Sequence, residues 1–219
     1  ERIQKEILAS ANKQTADLGI EILDFRFKRI NYVQEVQDQV YERMKSERDM
    51  GLIPEPILED IGRQAGSKYD AFRGSDRDGQ TQRLIETITA GQQDDASALL
   101  EFCRSEDPST RYWAAVWLGV NQVEAGRPTL QSLVTDETAA VRVAAAQSLV
   151  KLGDLAQLKV LVDHINDPNL LVGMFALRAI EELGDRGKPF SAEITAAQES
   201  EYEFSRRIAK RLTGKWSGR

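Results

Sequence analysis

The chain has 219 residues, 41% hydrophobic and 29% charged, with a formal net charge of -6 and a pI near 5.1. Those proportions belong to a folded protein of one or two domains, and the acidic balance excludes a general nucleic-acid binder, which needs a basic footprint to displace counterions from phosphate. No apolar run reaches the about 18–20 residues that span a bilayer, no signal peptide is visible, and one cysteine with one histidine excludes an internal disulfide framework and a Cys/His zinc cluster.

Residues 1–18 read as a helix, because Ile3, Ile7 and Ala11 recur at four-residue intervals on a background of Glu, Lys and Gln. Gly19 ends it. Over 20–30, Ile20 and Ile22, then Phe25 and Phe27, alternate with polar residues and predict a strand. Asn31 suits the cap of a further helix, with Val33, Val36, Val40 and Met44 as its apolar stripe. Gly51–Pro56 is a stiff extended entry, and Pro56 fits the first turn of a helix over Ile57–Ala65. Residues 73–80, polar and Gly-rich, predict a loop. From Thr81 onward the pattern is helical.

That last stretch repeats. Ala114, Ala145 and Ala176 stand 31 residues apart, as do Leu118, Leu149 and Ile180, and Leu99, Leu130 and Leu161. A fixed period of this size marks stacked supersecondary units. Each unit predicts two helices. The first carries Leu99, Leu130 or Leu161; a polar turn follows at Glu106-Asp107-Pro108, Asp136-Glu137 or Asp167-Pro168; the second carries the Ala-rich phrase. Asp in the turn can accept from free helix N–H groups. Gly119, Gly153 and Gly184 are expected to end the units, with Gly supplying a left-handed cap. Gly119 is out of register, which predicts that the first unit is shorter in its second helix or differently turned.

Asp107-Pro-Ser-Thr-Arg-Tyr-Trp-Ala-Ala115 and Val141-Arg-Val-Ala-Ala-Ala146 resemble HEAT repeats. More narrowly, Gly51-Leu-Ile-Pro-Glu-Pro-Ile-Leu58 leading into Tyr112-Trp-Ala-Ala-Val-Trp-Leu-Gly119 resembles the C-terminal extension of some bacterial sulfatases. There a HEAT-like module follows an alkaline-phosphatase-like catalytic domain. The first 49 residues, through Ala11-Asn-Lys-Gln-Thr-Ala-Asp-Leu-Gly-Ile-Glu-Ile22 and Val40-Tyr-Glu-Arg-Met-Lys-Ser-Glu-Arg48, are similar to HflC. That family belongs to the SPFH group, whose members surround and regulate the membrane protease FtsH. The seam near Ser46–Gly51 predicts a fused or composite chain. Glu1 in place of Met predicts a fragment.

The chemistry expected is sparse. Cys103 lies in Cys-Arg-Ser-Glu-Asp, without the Pro and terminal Arg of a sulfatase nucleophile, and its repeat partners Val134 and Ile165 are apolar. It reads as a buried structural cysteine. His164 aligns with Phe102 and Leu133 and reads as a packed ring. Asp94-Asp95 and Glu181-Glu182 point apart on helices and read as solvated. Tyr112, Trp113 and Trp117 carry two readings, the core of the first repeat or an aromatic anchor for a partner. Arg206, Arg207, Lys210, Arg211 and Lys215 likewise read as helix C-terminal or tail charges, or as contacts for an anionic partner or membrane surface. With Arg142, the candidate interaction surface is Tyr112, Trp113, Trp117, Arg142, Arg206, Arg207 and Arg211.

The resulting expectation is a mostly α chain. A helix–strand–helix fragment over 1–49 and a linker with a short helix over 50–80 precede a HEAT-like solenoid of about three hairpins over 81–219. No catalytic, cofactor or metal residues are expected. The partner is a protein or an absent catalytic domain, with a membrane protease complex engaged through 1–49. Both resemblances imply the bacterial periplasm or cell envelope.

Overall fold

The computed structural model describes residues 2–15, 51–67 and 78–218. The chain divides into two compact units, Glu1–Met44 and Lys45–Arg219. In the first, helix α1 spans Arg2–Thr15. The strand expected over 20–30 and the helix after Asn31 lie outside the described residues, as does most of the loop expected over 73–80. Asp78–Gln80, placed in that loop by composition, already belong to a helix.

In the second unit every described regular element is helical. α2 spans Glu55–Ala65, with Pro56 in its first turn and Gly66 in the left-handed conformation after its end. α3 (Asp78–Gln92) stands before three helical hairpins: α4 (Ala96–Phe102) with α5 (Pro108–Val120), α6 (Arg127–Leu133) with α7 (Ala139–Lys151), and α8 (Leu158–Asp163) with α9 (Leu170–Leu183). The chain then forms a fourth pair, α10 (Ser191–Ala196) and α11 (Glu203–Trp216). The long helices α3, α5, α7, α9 and α11 stack in sequence, each on the next.

The period is set by packing. Leu99, Leu130 and Leu161 are fully buried, and Ile194 of α10 takes the same place in the fourth hairpin. Each such side chain contributes about 1.5–3 kcal/mol by leaving water. Ala114, Ala145, Ala176 and Ala209 are buried between stacked long helices. α7 is apolar on nearly all sides, as a helix sandwiched between neighbours must be. Val141, Ala144 and Ala145 face the core of the first two hairpins, and Ala140, Val143 and Ala146 face the core that continues to α11. The fourth hairpin is two residues out of phase, because the connector Gly184–Phe190 is a longer helical turn.

The role of Gly119 differs from the expectation. α5 continues through it to Val120 and is as long as α7. A Cβ at 119 would lie 2.4 Å from Ser148 Oγ, so this glycine is a point of close helix approach. Ser148 Oγ also donates to the Ala115 carbonyl at 2.8 Å. The left-handed position after α5 belongs to Gln122, with φ +51, in register with Gly153 (+97) and Gly184 (+62). A side chain there costs energy that glycine avoids. Gln122→Gly is therefore expected to stabilise the chain by about 0.5–1 kcal/mol, read as a higher urea midpoint with an unchanged slope.

Candidate functional site

The turns between short and long helices share one construction. Asp107 Oδ2 caps α5 by accepting from Thr110 N at 2.8 Å. Ser105 Oγ, Asp136 Oδ1, Asp167 Oδ1 and Ser200 Oγ each accept from the N–H two residues on, at 2.8–3.2 Å. Arginines one turn into the long helix then close the loop. Arg111 Nη1 donates to the carbonyls of Ser105 and Glu106, Arg142 Nη1 to those of Asp136 and Glu137, and Arg206 Nη1 to those of Ser200 and Glu201, all at 2.7–3.2 Å.

Arg111 has a second task. Its Nε and Nη2 donate to both oxygens of Asp136 at 2.8 and 2.9 Å, and Nη2 also reaches Glu137 at 3.1 Å. The two side chains are only 9% and 7% exposed. Burial works against the guanidinium charge, but the bonds and charge of Asp136, then Glu137, outweigh it and hold the pKa above its usual value. The third unit has Gly173 in the arginine's place, since a Cβ there would meet the Ile165 carbonyl at 2.5 Å. Here Asn169 organises the turn. Its Nδ2 donates to the Pro56 carbonyl and to Asp60 Oδ1, both at 2.8 Å, and its Oδ1 accepts from Leu171 N. α2 is thereby fastened to the start of α9.

The seven residues of the candidate surface fall on three helices and are all engaged within the protein. Tyr112 packs against the core and meets Trp113 edge-on, with centroids 5.5 Å apart. Burial, then the charge of Glu182, pushes its phenol up to about 12. Trp113 Nε1 donates to the Leu52 carbonyl at 2.8 Å. Trp117 lies against Gly91, where a Cβ would collide with the indole, and its buried Nε1 has no acceptor among the described residues. Arg142 Nε donates to His164 Nε2 at 2.9 Å. Arg206 closes its turn as above. Arg207 pairs with Glu203 at 2.5 Å and lies 5.9 Å from the Phe204 ring centroid. Arg211 holds Glu181 by two bonds of 2.5 and 2.7 Å. The basic stretch of α11 is thus spent largely on internal contacts.

The tempting chemical groups are also spent. Burial pushes the Cys103 thiol up to about 12 against the smaller opposing effect of Arg104, the reverse of an activated nucleophile. The thiol stays protonated up to that pH, so native protein at pH 8 is expected to resist a thiol reagent such as Ellman's and to react fully only after unfolding. His164 Nδ1 meets the Val160 carbonyl at 2.8 Å while Nε2 accepts from Arg142, so the ring proton belongs on Nδ1. Among the described residues no group of three or more His, Cys, Asp or Glu could hold a metal ion.

A different surface emerges at the third and fourth turns, and it was missed in the sequence. Leu170 and Phe204 are 42% and 53% exposed. A cavity of about 420 Å³ is lined by Glu55, Glu59, Arg63, Asn169, Leu170, Leu171 and Tyr202. A second, of about 250 Å³, shares Leu170 and is lined also by Asp167, Glu199 and Glu201. The Tyr202 and Phe204 rings touch, with centroids 5.5 Å apart. One signal was available. The first two positions of the long helix are Pro108-Ser109 and Ala139-Ala140 in the earlier hairpins, Leu170-Leu171 in the third and Glu203-Phe204 in the fourth.

Comparison with known proteins agrees with this architecture. Residues 96–181 match the family described as HEAT repeats. The chain is 34% identical to phycocyanobilin lyase subunit alpha of Picosynechococcus sp. over 98 residues, covering 41% of this chain and 37% of that protein. It is 49% identical to Protein HflC of Haemophilus influenzae over 45 residues, covering 20% of this chain and 15% of that protein. The chain thus matches well under half the length of either relative. The stacked hairpins form an all-α helical-repeat scaffold, with HEAT repeats over 96–181. No helix among the described residues is long and apolar enough to cross a membrane.

Proposed function

We propose that the chain is a non-catalytic scaffold that docks a protein partner through its helical repeats. The stacked array itself carries this reading. Repeats bury a core only through their neighbours and leave long faces for partners. The raised Cys103 thiol, the fully occupied His164 ring and the exposed Leu170 and Phe204 support it. The likeness to a lyase subunit fits a solenoid that works as one part of a larger assembly. An accessory role beside a sulfatase catalytic domain remains the narrower form, resting on the 51–58 and 112–119 phrases. In that setting the chain belongs to the bacterial periplasm or envelope. Purified chain is expected to turn over an aryl sulfate no faster than a heat-denatured control, and clear turnover would overturn the proposal.

The 45-residue match to HflC favours a second reading, in which residues 1–49 engage a membrane protease complex. Recovery of FtsH-type protease with the whole chain, but not with a chain lacking 1–49, is its expected signature. Equal recovery would sink it.

A further inference from the structure

We infer that the groove over the starts of α9 and α11 is the docking site for a basic, amphipathic helical segment of a protein partner. This rests on the scaffold reading and specifies the chemistry of what is bound. The apolar element is Leu170, Leu171 and Tyr202, which line the groove, extended by Phe204, whose exposed ring touches that of Tyr202. Leu170 and Phe204 are exposed and are joined by the half-buried Leu171 and Tyr202, and a connected apolar patch marks an interaction site. At the first two positions of the long helices, large apolar side chains occur in the third and fourth hairpins, whereas the earlier ones carry Pro108, Ser109, Ala139 and Ala140.

Charge selects the occupant. Among the described residues, Glu55, Asp167, Glu199 and Glu201 line the two cavities that share Leu170, against one lining guanidinium, Arg63. Arg63 itself lies 3.9 Å from Asp60. The nearby Arg206 is held by the turn carbonyls, and Arg207 is paired with Glu203. A segment with Leu or Phe on one face and Lys or Arg beside it satisfies both features. An acidic or neutral segment satisfies only the first. Anchors in the groove supply affinity, and the carboxylate rim supplies partner choice.

The test uses the whole chain and two labelled amphipathic peptides of about 18 residues, about 27 Å as helices. One carries Leu on one face and Lys on the other; the second has Glu for every Lys. Fluorescence anisotropy is expected to show the Lys peptide binding about tenfold or more tighter than the Glu peptide. Leu170→Asp and Phe204→Asp should each weaken the Lys peptide by about tenfold. Glu199→Gln with Glu201→Gln should reduce the salt dependence. Both anchors are exposed, so the variants should melt with the parent. Equal binding of the two peptides, or Lys-peptide binding untouched by both Asp variants, overturns the inference. So does a dimer in sedimentation velocity that Leu170→Asp dissolves, which would assign the groove to a second copy. The aryl sulfate result is independent of these, so loss of this groove leaves the scaffold reading standing.

Discussion

Replacing Arg111 by alanine is expected to lower the stability of the chain by about 3–5 kcal/mol. The substitution strands Asp136 as a carboxylate only 7% exposed and removes the donor to the Ser105 and Glu106 carbonyls. Breaking one side of a buried pair costs far more than the pair contributes over an apolar substitute, because the remaining charge loses its opposite charge and keeps only the Thr138 N–H bond. Arg142→Ala is the control. It loses the equivalent carbonyl bonds and one bond to His164 but strands no buried carboxylate, so about 0.5–1.5 kcal/mol is expected. Urea unfolding of both variants decides. A difference under about 1 kcal/mol between them would mean that water reaches Asp136 and that the pair is an ordinary surface contact.

Ile194→Ala is expected to cost about 2–5 kcal/mol. Ile194 is fully buried with Leu177 and Ile180 in the core shared by α7, α9 and α11. The same substitution asks whether the fourth hairpin belongs to the cooperative array. Trp216 packs near Gly187 and the core at the far end, while Trp113 and Trp117 belong to the first hairpin. With the fourth hairpin integral, tryptophan fluorescence and far-ultraviolet circular dichroism should shift together in the variant. A small change limited to fluorescence would show α10 and α11 fraying alone.

Three hairpins were legible because their helices keep one spacing, and the residues that keep it are those the core needs. The fourth was hidden by two extra residues in the connector. Once that offset is allowed, Ile194, Arg206 and Ala209 fall into the places of Leu161, Gly173 and Ala176. Arg206 and Arg211 looked like members of a basic tail because their partners are turn carbonyls and Glu181, about a hairpin away from Arg211 in sequence. Gln122 was invisible as a cap because the residue expected there was glycine, and Gly119 three positions earlier drew the assignment instead. The groove was illegible for a different reason. One wall comes from α2, and no local periodicity connects Glu55 and Glu59 with Asn169.

α2 has a consequence for how the array can change. Repeat proteins ordinarily gain and lose whole units, since each touches only its neighbours. Here the segment around α2 bonds to Trp113 in the first hairpin through Leu52, and to Asn169 in the third through Pro56 and Asp60. Leu52 and Pro56 are four residues apart, so the span between those anchors is fixed by a stretch of chain that is not itself a repeat. Duplicating or deleting the 31-residue unit carrying α6 and α7 would pull one anchor off its partner. The segment works as a ruler, holding the number of hairpins between Trp113 and Asn169 constant while leaving the array free to lengthen beyond α11.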